Sequence, residues 1–210
     1  MVGAKNAVGM TPLHVVALQS MFQQKESAAM AELLLDHGAD VNAADKHLHT
    51  PLHIACGAPT PGAFVSLLLA RGALVNARSE TQATPLLRAS RHGVRAFADV
   101  LLTRADLDVN AAHNDGLTSL HYCAFFDHVG FLRALIESGR CQLDARATAA
   151  QRTPLQVAVA RGSARVTREL VNAGALRDGV GDDLLQRLLS RADDAPKKPV
   201  LSMAWHDGFL

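Results

Sequence analysis

Aromatic side chains are scarce in this sequence, nine in 210 residues. Four of the nine, Tyr122, Phe125, Phe126 and Phe131, nevertheless crowd into one short stretch. Cysteine is scarcer still. Cys56, Cys123 and Cys141 show no CxxC spacing and leave at least one thiol unpaired, which argues against a disulfide framework or a zinc cluster. A reducing setting is expected, the cytoplasm or else the nucleus. No charge of either sign dominates: 21 Lys and Arg face 20 Asp and Glu. The chain therefore lacks the basic footprint of a nucleic-acid binder, and charged recognition must be local. Nor is there an uninterrupted apolar run of membrane-spanning length. The longest, "LHIACGAPTPGAFVSLLLA" at 52–70, contains His53 and the breakers Gly57, Pro59, Pro61 and Gly62, and reads as two short helices joined by a turn. The first residues, "MVGAKNAVGM", have no apolar signal core. At 49% hydrophobic, the chain has enough apolar surface to fold.

What the sequence does have is repetition, which decides fold before any local reading does. "TPLH" stands at 11–14 and 50–53, with variants "TPLL" at 84–87, "TSLH" at 118–121 and "TPLQ" at 153–156. The spacings between their threonines are 39, 34, 34 and 35 residues. A second motif keeps phase with the first: "LLLDHGADVNA" at 33–43, "LLLARGALVNA" at 67–77, "VLLTRADLDVNA" at 100–111, "LIESGRCQLDA" at 135–145 and "LVNAGALRD" at 170–178. Thr before Pro is a helix start, because the hydroxyl can accept from unpaired N–H groups and Pro needs no N–H at the first helical position. A short inner helix follows. In the third unit Gly93 interrupts it, and the spacing of Phe97, Val100 and Leu101 marks an outer helix with one buried stripe. Glycines such as Gly38, Gly72 and Gly174 suit a left-handed stop, and the Val-Asn-Ala and Asn-Asp-Gly segments beyond are turn chemistry.

These phased motifs resemble the ankyrin-repeat family. The resemblance implies an all-α solenoid of stacked helix-turn-helix units with β-hairpin fingers along one edge. Repeats are expected at about 6–44, 45–78, 79–112, 113–146 and 147–180, with a C-terminal cap at 181–191 closing a domain of residues 1–191. Residues 192–210 carry no repeat signature and read as a tail or linker, although Trp205 and Phe209 suit docking on a partner or on the solenoid. The first unit has about six additional residues around "QSMFQQKES", which predicts a longer inner helix or a bulged helix-helix loop. Leu48 and Gln82 occupy finger positions where the family usually has Gly, so those fingers are expected to be strained or differently turned.

The resemblance also assigns roles to residues that otherwise suggest chemistry. His14, His53 and His121 share the fourth position of the Thr-Pro-Leu-His turn, where the family uses His for local bonding; on successive helices about 10 Å apart they cannot share a metal. "HLH" at 47–49 lacks further ligands at suitable spacing, Ser119 sits at a helix start, Cys56 and Cys123 fall at small core positions, and "GVGD" at 179–182 lacks the Lys and Ser/Thr of a phosphate loop. A non-enzyme without cofactor is expected. Asn42, Asn76 and Asn110 correspond to bracing residues that in some family members are hydroxylated.

In this family partners usually meet the concave face formed by fingers and inner-helix ends. Carried over by position, this picks out His47 and His49 in the second unit, Arg91 and His92 in the third, Asp115, Leu117, Phe125 and Phe126 in the fourth, and Arg152 and Arg161 in the fifth. Exposing a Phe forfeits about 1.5–3 kcal/mol of burial, so two adjacent ones at such a place need a reason. Flanked by Arg91 and Arg161, they suggest an interface anchor. The alternative is that one ring, Phe126, folds back under the turn to pack against the outer helix near Phe131. Arg78, Arg146 and Arg152 extend the basic flank, which favours a protein or peptide partner with an apolar anchor and acidic residues, bound by a monomer. An adaptor, scaffold or recognition subunit follows; the alternative is a regulatory or targeting segment of a larger enzyme, channel or ubiquitin-ligase subunit.

Overall fold

In the computed structural model, residues 2–20, 24–58, 63–148 and 151–190 are described. The 192–210 tail, with Trp205 and Phe209, lies outside them, as do Pro59 and Pro61. The helices come in pairs: α1 (Pro12–Gln19) with α2 (Gln24–Asp36), α3 (Pro51–Ala55) with α4 (Ala63–Ala70), α5 (Pro85–His92) with α6 (Arg95–Leu102), α7 (Ser119–Phe126) with α8 (Val129–Glu137), and α9 (Pro154–Arg161) with α10 (Ala164–Asn172). A single helix, α11 (Asp182–Leu189), packs on α9 and α10 through Leu185 and Leu188.

The first helix of each pair forms an inner row in which α1, α3, α5, α7 and α9 pack in succession, while α2 lies on α4, and α8 on both α6 and α10. Each inner helix starts as its sequence predicts, from an extended Thr, with Pro in the first turn of all but α7. Between the rows lies a continuous core. Leu13, Leu52, Leu86 and Leu155 of the Thr-Pro-Leu motifs are fully buried, as are Phe64, Phe97 and Phe131 of the outer helices. Small buried residues on the inner helices, Ala17, Ala55, Ala89, Ala124 and Ala158, let neighbouring backbones approach.

Two ladders of side chains lock each unit to the next. The Thr11 N–H points at His14 Nδ1 (3.1 Å), which marks Nδ1 as the acceptor and leaves Nε2–H to donate to the His49 carbonyl of the next finger (2.9 Å). His53 repeats this with Thr50 and Ala83, and His121 with Thr118 and Arg152. Gln156 does the same with an amide: Thr153 N–H donates to Oε1 and Nε2 donates to the Asp178 carbonyl (2.7 Å). The second ladder uses the asparagines. Asn42 donates to the Gly72 carbonyl and accepts from Leu74 N–H; Asn76 bridges to Asp106 and Asp108, and Asn110 to Arg140 and Gln142. All three thus brace the turn after the next outer helix.

The fingers of the first four units are tight turns closed by a pair of backbone bonds, such as Asp45 N–H to the His49 carbonyl with Leu48 N–H to the Asp45 carbonyl, and His113 N–H to the Leu117 carbonyl with Gly116 N–H to the His113 carbonyl. Among the described residues, strand pairing amounts to one isolated bridge, Ala112 with Thr118. Successive finger tips are joined by Lys46 N–H to Val8, Glu80 to His47, Asn114 to Thr81 and Thr148 to Asp115. Leu48 (φ 60°) and Gln82 (φ 63°) adopt the same left-handed conformation as Gly9 and Gly116, so their fingers keep the common turn and carry the strain. The additional residues of the first unit lengthen the outer helix instead of the inner one: α2 has 13 residues, whereas α1 has 8, like α5 and α7.

Candidate partner-binding face

The inner helices end side by side, and three of those ends build the centre of the face. At the end of α7, Phe125 and Phe126 meet edge to face, with ring centroids 4.9 Å apart. Phe125 is half-buried against the core, whereas Phe126 is 37% exposed. From the end of α9, the Arg161 guanidinium sits 4.2 Å above the Phe125 ring and its Nε donates to the Phe125 carbonyl. It therefore holds Phe125 in place, and the displayed ring is Phe126: the ring that turns back on the core is Phe125 and not, as expected, Phe126, because Arg161 covers Phe125.

Phe126 has a built support. Its ring stacks on His128 (centroids 5.7 Å apart), whose Nε2 bonds the Arg91 carbonyl at the end of α5. The His128 ring lies where a side chain at position 93 would have to be: a Cβ on Gly93 would fall 2.1 Å from the imidazole. Gly93 also has φ +71°, which disfavours any L side chain. The helix stop read from sequence is thus also the seat of an aromatic stack.

Other expected contact residues are placed differently. Leu117 is 4% exposed, a core residue beneath its finger, because the turn points it inward between the hydrogen-bonded His113 and the start of α7. His49 is also buried, with its Nδ1 3.3 Å from Asp45 and its N–H bonded to the same carboxylate. Neither offers a side chain to the surface as expected. His47 is exposed and pairs with Glu80 at 3.2 Å. Asp115 turns toward His113, and the Arg152 carbonyl is used by His121 and Ala147. Of the wider basic flank, Arg78 faces Asp108 and Arg146 bonds the Gln151 carbonyl. Arg91 and His92 are exposed on the inner side of α5.

The sequence reading missed a cavity of about 240 Å³ beside this patch, lined by His49, His53, Leu87, Arg88, Arg91 and His92 together with Thr81, Ala83, His113 and Tyr122. Two departures open it. Leu87 stands where the other units have His or Gln, so the third unit lacks the ring that would fill the space. The short α3 ends before Gly57, and a Cβ there would lie 3.1 Å from Arg88 Nε, so the missing side chain makes room for the guanidinium. The signal was present in sequence as Arg88, Arg91 and His92, spaced to share one side of a helix.

Burial dominates the titration of the groups around the cavity. It holds His53 down at about 4 and pushes His49 below the ordinary histidine range despite Asp45. Burial also lowers His92, helped by the charges of Arg88 and Arg91, and lowers Arg88 itself. For Asp45, burial acts upward, but hydrogen bonds from His49 and His47 outweigh it and keep the carboxyl below its usual value. Burial raises the Cys56 thiol to about 12 and that of Cys141 to about 11, which makes both poor nucleophiles.

Paired helices, a finger edge and an inner face with an exposed ring define a helical repeat solenoid of the protein-interaction class. A family model for ankyrin repeats (3 copies) matches at residues 2–79, 24–113, 58–147 and 86–179, and the chain belongs to the ankyrin-repeat family. It is 34% identical over 131 residues to Neurogenic locus notch homolog protein 2 of Homo sapiens, covering 62% of this chain and 5% of that protein. Neurogenic locus notch homolog protein 1 of Xenopus tropicalis is 34% identical over 130 residues, with the same coverage. The chain thus corresponds to a small part of these relatives. Among the described residues no helix is long and apolar enough to cross a membrane.

Proposed function

We propose that this chain is a non-catalytic recognition module, an adaptor or scaffold acting as a monomer, that binds a protein or peptide partner on the face made by its fingers and inner helices. Ankyrin repeats are in general protein-interaction modules, which supports the class. The observation that carries the choice of surface is Phe126, an aromatic ring left 37% exposed while propped from behind by His128 and Gly93. A ring held rigidly in the open has already met most of its ordering cost before a partner arrives, which is what distinguishes an anchor from a loose surface residue. With Phe126 as apolar anchor, Arg91, His92 and Arg161 beside it suit acidic residues of the partner, and His47 and Asp115 extend the same edge. Cytoplasm or nucleus is the proposed location, consistent with three free thiols. Asn42, Asn76 and Asn110 remain candidates for hydroxylation.

The test is affinity capture with the native chain and with a Phe126→Ala/Arg161→Ala variant shown by circular dichroism to be folded. Partners held by the native chain and lost by the variant are expected. Equal capture by both would refute this surface. A second reading, a targeting or regulatory segment within a longer polypeptide, is favoured by the notch relatives, in which the similar stretch is 5% of the length. The full reading frame decides between them.

A further inference from the structure

The first unit leaves open what the later units close. Met30 stands eight residues before the closing Gly38, as Phe64, Phe131 and Val166 stand before Gly72, Gly139 and Gly174. Those three side chains are buried, whereas Met30 is 50% exposed. Leu34 is half-buried where Leu68, Leu135 and Leu170 are fully buried, and Val15 is 40% exposed where Ile54 and Val157 are buried. The later units have a helix pair on their N-terminal side: α4 packs on α2, α8 on α6 and α10 on α8, while α2 packs on its own partner α1 and on the following α4. The hydrogen-bond ladders stop at the same edge. The carbonyl before the Thr takes two bonds in later units: Ala83 accepts from Ser79 N–H and His53, and Arg152 from Ala147 N–H and His121. Among the described residues the corresponding Met10 carbonyl accepts from Asn6 N–H, with no such side chain above it. The Leu74, Asp108 and Gln142 N–H groups are taken by the asparagine of the preceding unit; the corresponding Asp40 N–H meets no described side chain. Lys46, Glu80, Asn114 and Thr148 N–H each reach the preceding finger tip, whereas the corresponding Ala7 N–H reaches none that is described. Three ladders thus end on one apolar edge, each showing the half that a preceding unit would complete.

We propose that this edge is an interaction surface for one further helix pair of the same kind, supplied upstream in the same polypeptide. The open groups state the occupant's chemistry. Its inner helix brings a His or Gln to donate to the Met10 carbonyl, its turn an Asn or Asp to accept from Asp40 N–H, its finger tip a carbonyl for Ala7 N–H, and its outer helix apolar side chains for Met30 and Leu34. The interfaces between successive units of this chain are built from these parts, so the surface continues them. A second copy stacked head to tail does not supply them. Its C-terminal end is α11, which starts at Gly181 in place of Thr and has Leu184 where the other units place the clip. That helix turns Asp182, Asp183, Gln186 and Arg187 outward beside Leu184. One end of the array is finished with polar side chains, as a terminal unit requires, and the other is not. The inference rests on the reading of a segment within a longer polypeptide and is independent of the Phe126 surface.

A probe for the occupant exists within the chain, because residues 45–78 hold the His47 carbonyl, His53 and Asn76 that join the second unit to the third. A copy of these residues is joined directly ahead of Asn6 in place of residues 1–5, which sets its threonine 34 residues before Thr11, the spacing of Thr50 and Thr84. Amide hydrogen exchange at Ala7 and Asp40 is expected to slow at least about tenfold, the scale of one hydrogen bond made, and the urea midpoint to rise. Met30→Glu should leave the midpoint of the 210-residue chain unchanged, because that side chain is half exposed, and abolish the gain in the extended chain. His53→Leu with Asn76→Ala in the added copy should return the Asp40 amide to its original rate. The natural occupant is read from the upstream coding sequence, which should hold Thr-x-Leu followed by His or Gln about 34–39 residues before Thr11, the range of this chain's own spacings. Unchanged exchange at Ala7 and Asp40, or a gain that survives Met30→Glu, overturns the surface. A surface that takes the probe, with an upstream frame that holds no such unit, overturns the occupant and leaves the longer-polypeptide reading standing; a frame that opens at Met1 removes both.

Discussion

Three phenylalanines of one short stretch have three different jobs. Phe131 is fully buried between the helix rows, Phe125 is half-buried beneath Arg161, and Phe126 is open. Truncation should separate them. Phe131→Ala is expected to cost about 3–5 kcal/mol by emptying a close-packed site, whereas Phe126→Ala should cost less than about 1 kcal/mol. Urea denaturation of both variants checks this, and equal losses would mean that Phe126 is a core residue. The backbone offers a second test at this scale. Leu48 and Gln82 keep positive φ that costs about 1–2 kcal/mol for a residue with a Cβ. Part of that gain is lost to the freer unfolded chain, so Leu48→Gly should stabilise by roughly 0.5–1 kcal/mol. A fall in the unfolding midpoint would mean that the half-exposed Leu48 side chain matters more than its backbone.

At the scale of the element, four of the five inner helices, all but α5 with its Leu87, are clipped to the segment that follows the next unit boundary by a group that accepts at one end and donates at the other. Histidine does this in three units and Gln156 in a fourth. His121→Gln should therefore be tolerated within about 1 kcal/mol, while His121→Leu, which leaves the Thr118 N–H and Arg152 carbonyl without the clip, should cost about 2–3 kcal/mol. Equal costs in thermal unfolding would mean that ring packing, not the pair of bonds, is what matters. Elements were the most legible part of the sequence, because a Thr-Pro start, a glycine stop and an apolar stripe act locally and recur in phase. Less legible was anything decided by the neighbouring unit. Leu117 shares its register with the half-buried Met10, Ala83 and Arg152, yet the turn drives it into the core, and His49 at the same place is drawn in by Asp45. The cavity was hidden for the same reason: it arises from Leu87 in one unit and Gly57 in another, and no single-unit pattern contains both. Arg161 likewise looked like a flank and turned out to be the cover of Phe125.

For the whole molecule, the buried histidines link stability to pH. His14, His53 and His121 are all held below the ordinary value by burial, His53 to about 4. Below pH 6.5 the unfolded chain binds protons that the folded chain refuses, so stability is complete above that pH and falls as pH drops toward the folded values. His53 alone accounts for about 3 kcal/mol at the most. Urea midpoints should fall between pH 7 and pH 5, and a flat or rising profile would show that these imidazoles are protonated in place. Because these histidines clip the first, second and fourth units to their neighbours, this loss is expected in both halves of the array and not at one end. The interaction reading also belongs to this scale, since the exposed apolar side chains lie on more than one surface: Phe126 on the inner face, and Met30 and Leu33 on the outer helix α2. Calorimetric titration of a captured partner against the native chain, Phe126→Ala and Leu33→Ala distinguishes them. The account predicts affinity about tenfold or more weaker for Phe126→Ala and unchanged for Leu33→Ala; native affinity in Phe126→Ala, or a loss confined to Leu33→Ala, would contradict it.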